Sequence, residues 1–271
     1  MKTRRSLIIV MLAALTMSIA ALFFGFQPNT TAHAETTISN TTITADTTWV
    51  ADTKLSGNIV IKSGVTVTLT GKVRVTQDSS VVISGGGTIK RGNEDAYLNL
   101  PQDTNLTFNN VTLDGAKIAA KQPMIFNANP GASLTIKNCT IKNCITTDSQ
   151  AGGVIRLWQT TLSIDNTTIK DCSGKYYGAI KAMGYGANYA PVSISNSKFY
   201  NNSATGARYS AATGGAIYLN LTSTEITNCE FRNNFTQNGS GGTSSKTATY
   251  DAAMPAITLP TRTGYTFQGY F

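Results

Sequence analysis

The chain has 271 residues, a formal net charge of +8, only 13% charged side chains and a single histidine, His33. That length holds one sizeable domain with extensions, and the charge is too small and too scattered for a nucleic-acid footprint. Abundant Thr, Asn, Ser and Gly, with few strong helix formers, suit an extracellular all-β chain.

Lys2, Arg4 and Arg5 precede an apolar run from Leu7 to Phe24, followed by Gln27-Pro28 and then Ala32-His33-Ala34. A basic start, an apolar middle and a small-residue site predict a secretory signal peptide over 1–34, cleaved after Ala34. An uncleaved membrane anchor is the competing reading of so long a run. Cleavage removes three basic residues and lowers the charge from +8 to +5. It also removes His33, so the mature chain has no Ser-His-Asp or Cys-His chemistry and lacks the commonest metal ligand. No metal site or cofactor is expected, and no other stretch is long and apolar enough to span a membrane.

Residues 35–50 are the expected N-terminal cap, because an open first coil would expose a strand edge. From Asn58 to Lys90 apolar residues alternate (Ile59, Ile61; Val65, Val67, Leu69; Val73, Val75; Ile83; Ile89), which is the period of a strand with one face buried. One phrase then recurs as Leu106–Leu113, Leu134–Ile141, Leu162–Ile169, Val192–Phe199 and Thr224–Phe231, with starts 28, 28, 30 and 32 residues apart. A second phrase, Gly153–Trp158, Gly178–Met183 and Gly215–Asn220, opens with a glycine each time. A repeat of this length is several times too long for one strand and suits one turn of a coil carrying two or three. Successive turns then pair in parallel about 4.8 Å apart. About seven coils fit between Trp49 and Asn238.

Stacking places equivalent residues in columns. Phe108, Ile136, Ile164, Ile194 and Ile226 form one predicted inward column, and Leu113, Ile141, Ile169, Phe199 and Phe231 another. Asn110, Asn138, Asn166, Asn196 and Asn228 fall at a predicted corner, where Asn tolerates left-handed backbone angles and can bond the amides above and below. The pattern resembles the right-handed parallel β-helix of pectate-lyase-like proteins. Gly214-Gly215-Ala216-Ile217, and Phe199 and Phe231 each followed three residues later by an Asn, resemble the GGAI and FxxN motifs of polymorphic outer-membrane-protein repeats. The likeness covers roughly residues 50–236 and implies a fold rather than an activity, since many activities share this scaffold.

Cys144 and Cys172 hold the same repeat position in adjacent coils. In-register stacking leaves their Cβ atoms about 4.8 Å apart, slightly beyond disulfide range unless the corner twists. A disulfide and a pair of buried thiols both remain open. Zinc is not expected, with no CxxC pair and no mature histidine.

Residues 238–247 are Gly/Ser-rich and read as a linker. After it, Ala253-Met254-Pro255, Pro260–Phe267 and Gly269-Tyr270 are similar to the opening of an internalin-type B-repeat, the Listeria–Bacteroides repeat. That resemblance implies a bacterial surface protein with small β-rich modules in tandem, of which 248–271 is a partial copy. The natural product is then expected to continue; the other reading is a tail that caps the last coil.

The resemblance to polysaccharide lyases implies calcium-binding carboxylates and a Lys or Arg base, and glycoside hydrolases need two nearby carboxylates. Asp165 and Asp171 face different strands, Asp148 lies in a loop, and Glu94-Asp95 reads as solvated surface. No catalytic constellation is apparent. Two outward features remain. Lys142, Lys170 and Arg232 form a basic stripe, whose plain reading is a solvated face. Arg156, Trp158, Lys181 and Tyr218 fall on one face, where an exposed Trp beside cations stacks on a sugar ring and pairs with its acid group; the competing reading is a loop carrying Tyr176, Tyr177, Tyr185 or Tyr189 over Trp158. The expected function is a secreted or cell-surface bacterial β-helix, adhesin-like, binding polysaccharide or a host or wall surface without catalysis. A secreted polysaccharide lyase and a passive stalk are the alternatives.

Overall fold

A computed structural model of the chain describes residues 35–186, 189–206 and 214–236, with the backbone of Ser240–Gly241 and Pro260–Thr261. The expected signal peptide lies outside the described residues. So do the linker and the B-repeat-like tail, apart from an antiparallel pairing of Ser240–Gly241 with Pro260–Thr261.

The described chain is a right-handed parallel β-helix with no helix among the described residues. Its first face stacks Lys72–Val75, Tyr97–Asn99, Ile125–Phe126, Ile155–Trp158, Ile180–Met183 and Ile217–Asn220. The second face stacks Ser80–Ser84, Asn105–Asn109, Ser133–Lys137, Thr161–Asp165, Ala190–Ser195 and Thr222–Thr227. A third runs from Thr47–Trp49 to Glu230–Arg232, and a short fourth ladder from Ala119–Ala120 to Phe235–Thr236. About six turns lie between Lys72 and Thr236. A shorter turn precedes them, in which one strand, Lys54–Ile61, pairs with the first face through Leu55 and the second through Ile59. Below it Thr37–Ile43 and Thr47–Trp49 make a partial turn that is mostly exposed except for the buried Trp49.

The turns lengthen along the chain. Val67 pairs with Ile89, 22 residues on, and Ile83 with Phe108, 25 on. Phe108 pairs with Ile136 at 28 and Ile194 with Ile226 at 32. The first turns are short because their faces meet in tight corners such as Gly85-Gly86-Gly87; the later ones carry loops before the first face. Both predicted inward columns are in register. Each turn supplies a single layer of inward side chains, such as Ile155, Leu157, Leu162, Ile164, Ile169 and Cys172, and stacking converts these layers into one continuous core. At the last described turn Ile226 and Phe231 still follow their columns but are 40% and 47% exposed, because no described turn lies above them. Phe231 stacks on Phe199 with centroids 4.8 Å apart and planes at 6°.

The glycines Gly153, Gly178 and Gly215, ahead of the last three first-face strands, have a steric cause. Backbones of adjacent turns cross at that corner, and a Cβ on Gly178 would lie 1.8 Å from the Gly215 carbonyl oxygen. Any side chain there would push two turns apart.

Candidate functional site

The first face is built on alternation. Ile155 and Leu157 point into the core, so Arg156 and Trp158 point out. The parallel register stacks Phe126, Arg156, Lys181 and Tyr218 in one outward column, and Trp158, Met183 and Asn220 in the next. All four residues singled out in the sequence are therefore neighbours.

Their surroundings differ from those of an open stripe. Two loops from adjacent turns fold onto the column. The first carries Asp148, whose carboxylate lies 3.6 Å from the Arg156 guanidinium, and Gln150, whose side-chain oxygen accepts from the Lys181 ammonium at 3.3 Å. The second carries Tyr177, whose ring centroid is 4.1 Å from the same ammonium and 4.6 Å from the Tyr218 ring. Lys181 is only 4% exposed, which corrects its expected place on an open cationic face: the side chain leaves the sheet outward, but the loops close over it. Burial, then the nearby Arg156 charge, lowers its pKa from 10.5 to about 8, with Asp148 pulling the other way. Burial, then Tyr218, pushes the Tyr177 hydroxyl up, opposed by Arg156.

Arg156 also sits 5.2 Å from the Phe126 ring centroid. Trp158 is half-buried against Tyr185, with centroids 5.6 Å apart, while Tyr185 itself is 63% exposed. Asn220 donates to the Tyr218 hydroxyl at 3.1 Å. The result is a shallow aromatic and cationic patch with one carboxylate and net charge of about +1 from Arg156, Lys181 and Asp148. Asp148 and Gln150 are absent from the sequence reading of this site, because loops between turns have no period; of the loop tyrosines named as covers for Trp158, Tyr185 takes that place and Tyr177 covers Lys181 instead. The one local signal is the Asp148-x-Gln150 turn, in which the Asp148 carboxylate accepts the Gln150 N–H at 2.8 Å.

The basic stripe is in register, with Lys142 beside Lys170 and Tyr200 between Lys170 and Arg232. Two of its three cations face acids: Lys142 lies 3.5 Å from Asp114, and Arg232 contacts Glu230. Glu230 also takes the Tyr200 hydroxyl, and the Arg232 guanidinium is 5.7 Å from the Tyr200 ring.

Asn110, Asn138, Asn166, Asn196 and Asn228 all have φ between 43° and 55°. Their side chains bond in a broken ladder: Asn166 donates to Asn138 at 2.8 Å and Asn228 to Asn196 at 2.6 Å. Asn138 instead reaches Asn109, and Asn196 reaches Asp165. A second left-handed corner repeats the device with Asn143, Asp171, Asn201 and Asn233.

All four cysteines are free thiols, three buried and Cys229 half-buried. Cys144 and Cys172 follow that second corner in adjacent turns, each donating to the carbonyl two residues back. Near them lies Arg91, fully buried, donating to the carbonyls of Ile145 and Gln122 at 3.1 Å each. No carboxylate pairs with it among the described residues. Burial lowers the Arg91 pKa and raises that of Cys172. The neighbouring Cys172 thiol, then the Arg91 guanidinium, lower that of Cys144 against the effect of its burial. Among the described residues no three His, Cys, Asp or Glu side chains converge as a metal site would need.

No family model matches the chain, and no curated protein or solved structure is significantly similar to it.

Proposed function

We propose that this chain is a secreted or surface-attached bacterial β-helix protein, adhesin-like, whose first face binds glycan without chemical conversion. The observation that carries the reading is the Arg156–Lys181 pair, stacked in adjacent turns and bordered by Phe126, Tyr177, Tyr218 and the Trp158–Tyr185 pair. Aromatic faces accept sugar rings, and cations among them hold acid or hydroxyl groups. The signal-peptide pattern and the B-repeat likeness support an address at the bacterial surface, and the likeness to pectate-lyase-like proteins supports a carbohydrate partner. Nucleic acid has no comparable support.

The test is binding to a panel of host and wall glycans with Trp158→Ala and Arg156→Ala. Loss of binding of about tenfold or more supports the reading; a passive stalk gives no binding and no difference. The lyase alternative draws on Lys181, whose pKa of about 8 suits a base. Cleavage of an acidic polysaccharide by the wild type, lost in Lys181→Met, would replace the binding reading with that one.

A further inference from the structure

The loop 147–152 does two things at once. Asp148 faces Arg156 and Gln150 holds Lys181, so one short segment occupies both cations of the patch. These cations are direct partners across neighbouring strands, about 4.8 Å apart along the stack. That separation lets one carboxylate, with an adjacent hydroxyl, reach both. Asp148 is held from behind by its own turn, through the Gln150 N–H. Its contact with Arg156, at 3.6 Å, is longer than a charge-assisted hydrogen bond. The Arg156 side chain keeps 28% of its surface in solvent, and Asp148 keeps 18%. An incoming anion therefore meets a seat that the chain has filled loosely with its own carboxylate.

Resting on the glycan-binding reading, we infer that the first face selects a sugar bearing a carboxylate, and that the loop 147–152 is a strap competing for the same seat. The ligand's acid group replaces Asp148 at Arg156, and a ring hydroxyl replaces the Gln150 oxygen at Lys181. Trp158 and Tyr185, beside the cations, take the ring. A neutral sugar has nothing to displace Asp148 with, because leaving Arg156 with an uncharged partner loses the ion pair. The strap thus sets both the preference for acidic glycans and the threshold at which they bind.

The test is titration calorimetry of the whole protein with four probes: a uronate oligosaccharide, a sialylated oligosaccharide, and the neutral counterpart of each. The two acidic arms separate uronic from nonulosonic acids as the source of the carboxylate. The wild type is expected to bind at least one acidic probe more tightly than its neutral counterpart. Asp148→Asn keeps the turn but removes the competing charge, and is expected to tighten acidic binding by roughly three- to tenfold without altering neutral binding. Gln150→Ala is expected to act in the same direction, and Arg156→Gln to erase the acidic preference. Equal affinity for acidic and neutral probes, or acidic binding unchanged or weakened in both Asp148→Asn and Gln150→Ala, overturns the strap while leaving the glycan reading standing. Binding of no glycan of any class, here or on the panel, overturns both.

Discussion

Replacing Lys181 with Met makes stability and binding move in opposite directions. Keeping the ammonium protonated in the fold at pH 7, with its pKa at about 8 instead of 10.5, costs at most about 3 kcal/mol. That is an upper value, because one layer of loop covers the group rather than a full core. The substitution also loses the contact with the Tyr177 ring and the hydrogen bond to Gln150, each worth about 1 kcal/mol. Methionine fills similar volume and needs no hydration. The variant should therefore be more stable than wild type by up to about 1 kcal/mol at pH 7. The pH dependence follows from the direction of the shift. Below about pH 8 both folded and unfolded chains hold the proton, and the whole penalty is present. Between about 8 and 10.5 the folded chain releases it first, so wild-type stability rises with pH and the gap closes. Urea unfolding of both proteins at pH 7 and pH 9.5 measures this, and other titrating groups cancel in the difference. A variant less stable than wild type at pH 7, or a gap that does not narrow by pH 9.5, refutes the view that Lys181 is kept at a cost to the fold. A gain in stability with a loss of acidic-glycan binding is the signature of a residue retained for function.

Three other outcomes test the scaffold. Asn166→Ala should cost about 2 kcal/mol, from the lost bond to Asn138 and the strain of Ala at φ 43°, whereas Asn166→Gly should cost about half as much; equal losses by thermal melting would remove the backbone part of that account. In the folded protein Cys229 should be alkylated first, with Cys139, Cys144 and Cys172 modified only on unfolding, as read by peptide mass. Gly178→Ala should destabilise by more than about 2 kcal/mol, since its Cβ meets the Gly215 backbone rather than a side chain that can move; a neutral effect would show that the corner has slack.

Much of the scaffold was legible residue by residue. Alternation in Leu134, Ile136 and Ile141 assigns inside and outside, and the spacing of the five phrases puts like residues in columns, because a coil of fixed cross-section repeats its corners. Asn at each corner is legible for the same reason: few other residues adopt a left-handed backbone without strain. The opening turns, at 22 and 25 residues, escaped that reading because their corners are shorter than those of the phrases that set the period. Arg91 was also unreadable: at an inward strand position it is unlike every neighbour, and only the turns above supply the Ile145 and Gln122 carbonyls that receive it.

The candidate site divides along the same line. Arg156, Trp158, Lys181 and Tyr218 share a face because strand periodicity and coil register say so, and the sequence by itself determined that. Whether those side chains meet solvent was decided only by tertiary structure. Asp148, Gln150 and Tyr177 stand in loops, whose paths obey no repeat, and they reach the patch because parallel stacking brings loops of neighbouring turns within one strand spacing of each other. Direction from the sheet is a local property of the backbone; burial, charge partner and proton affinity depend on what neighbouring turns lay over it.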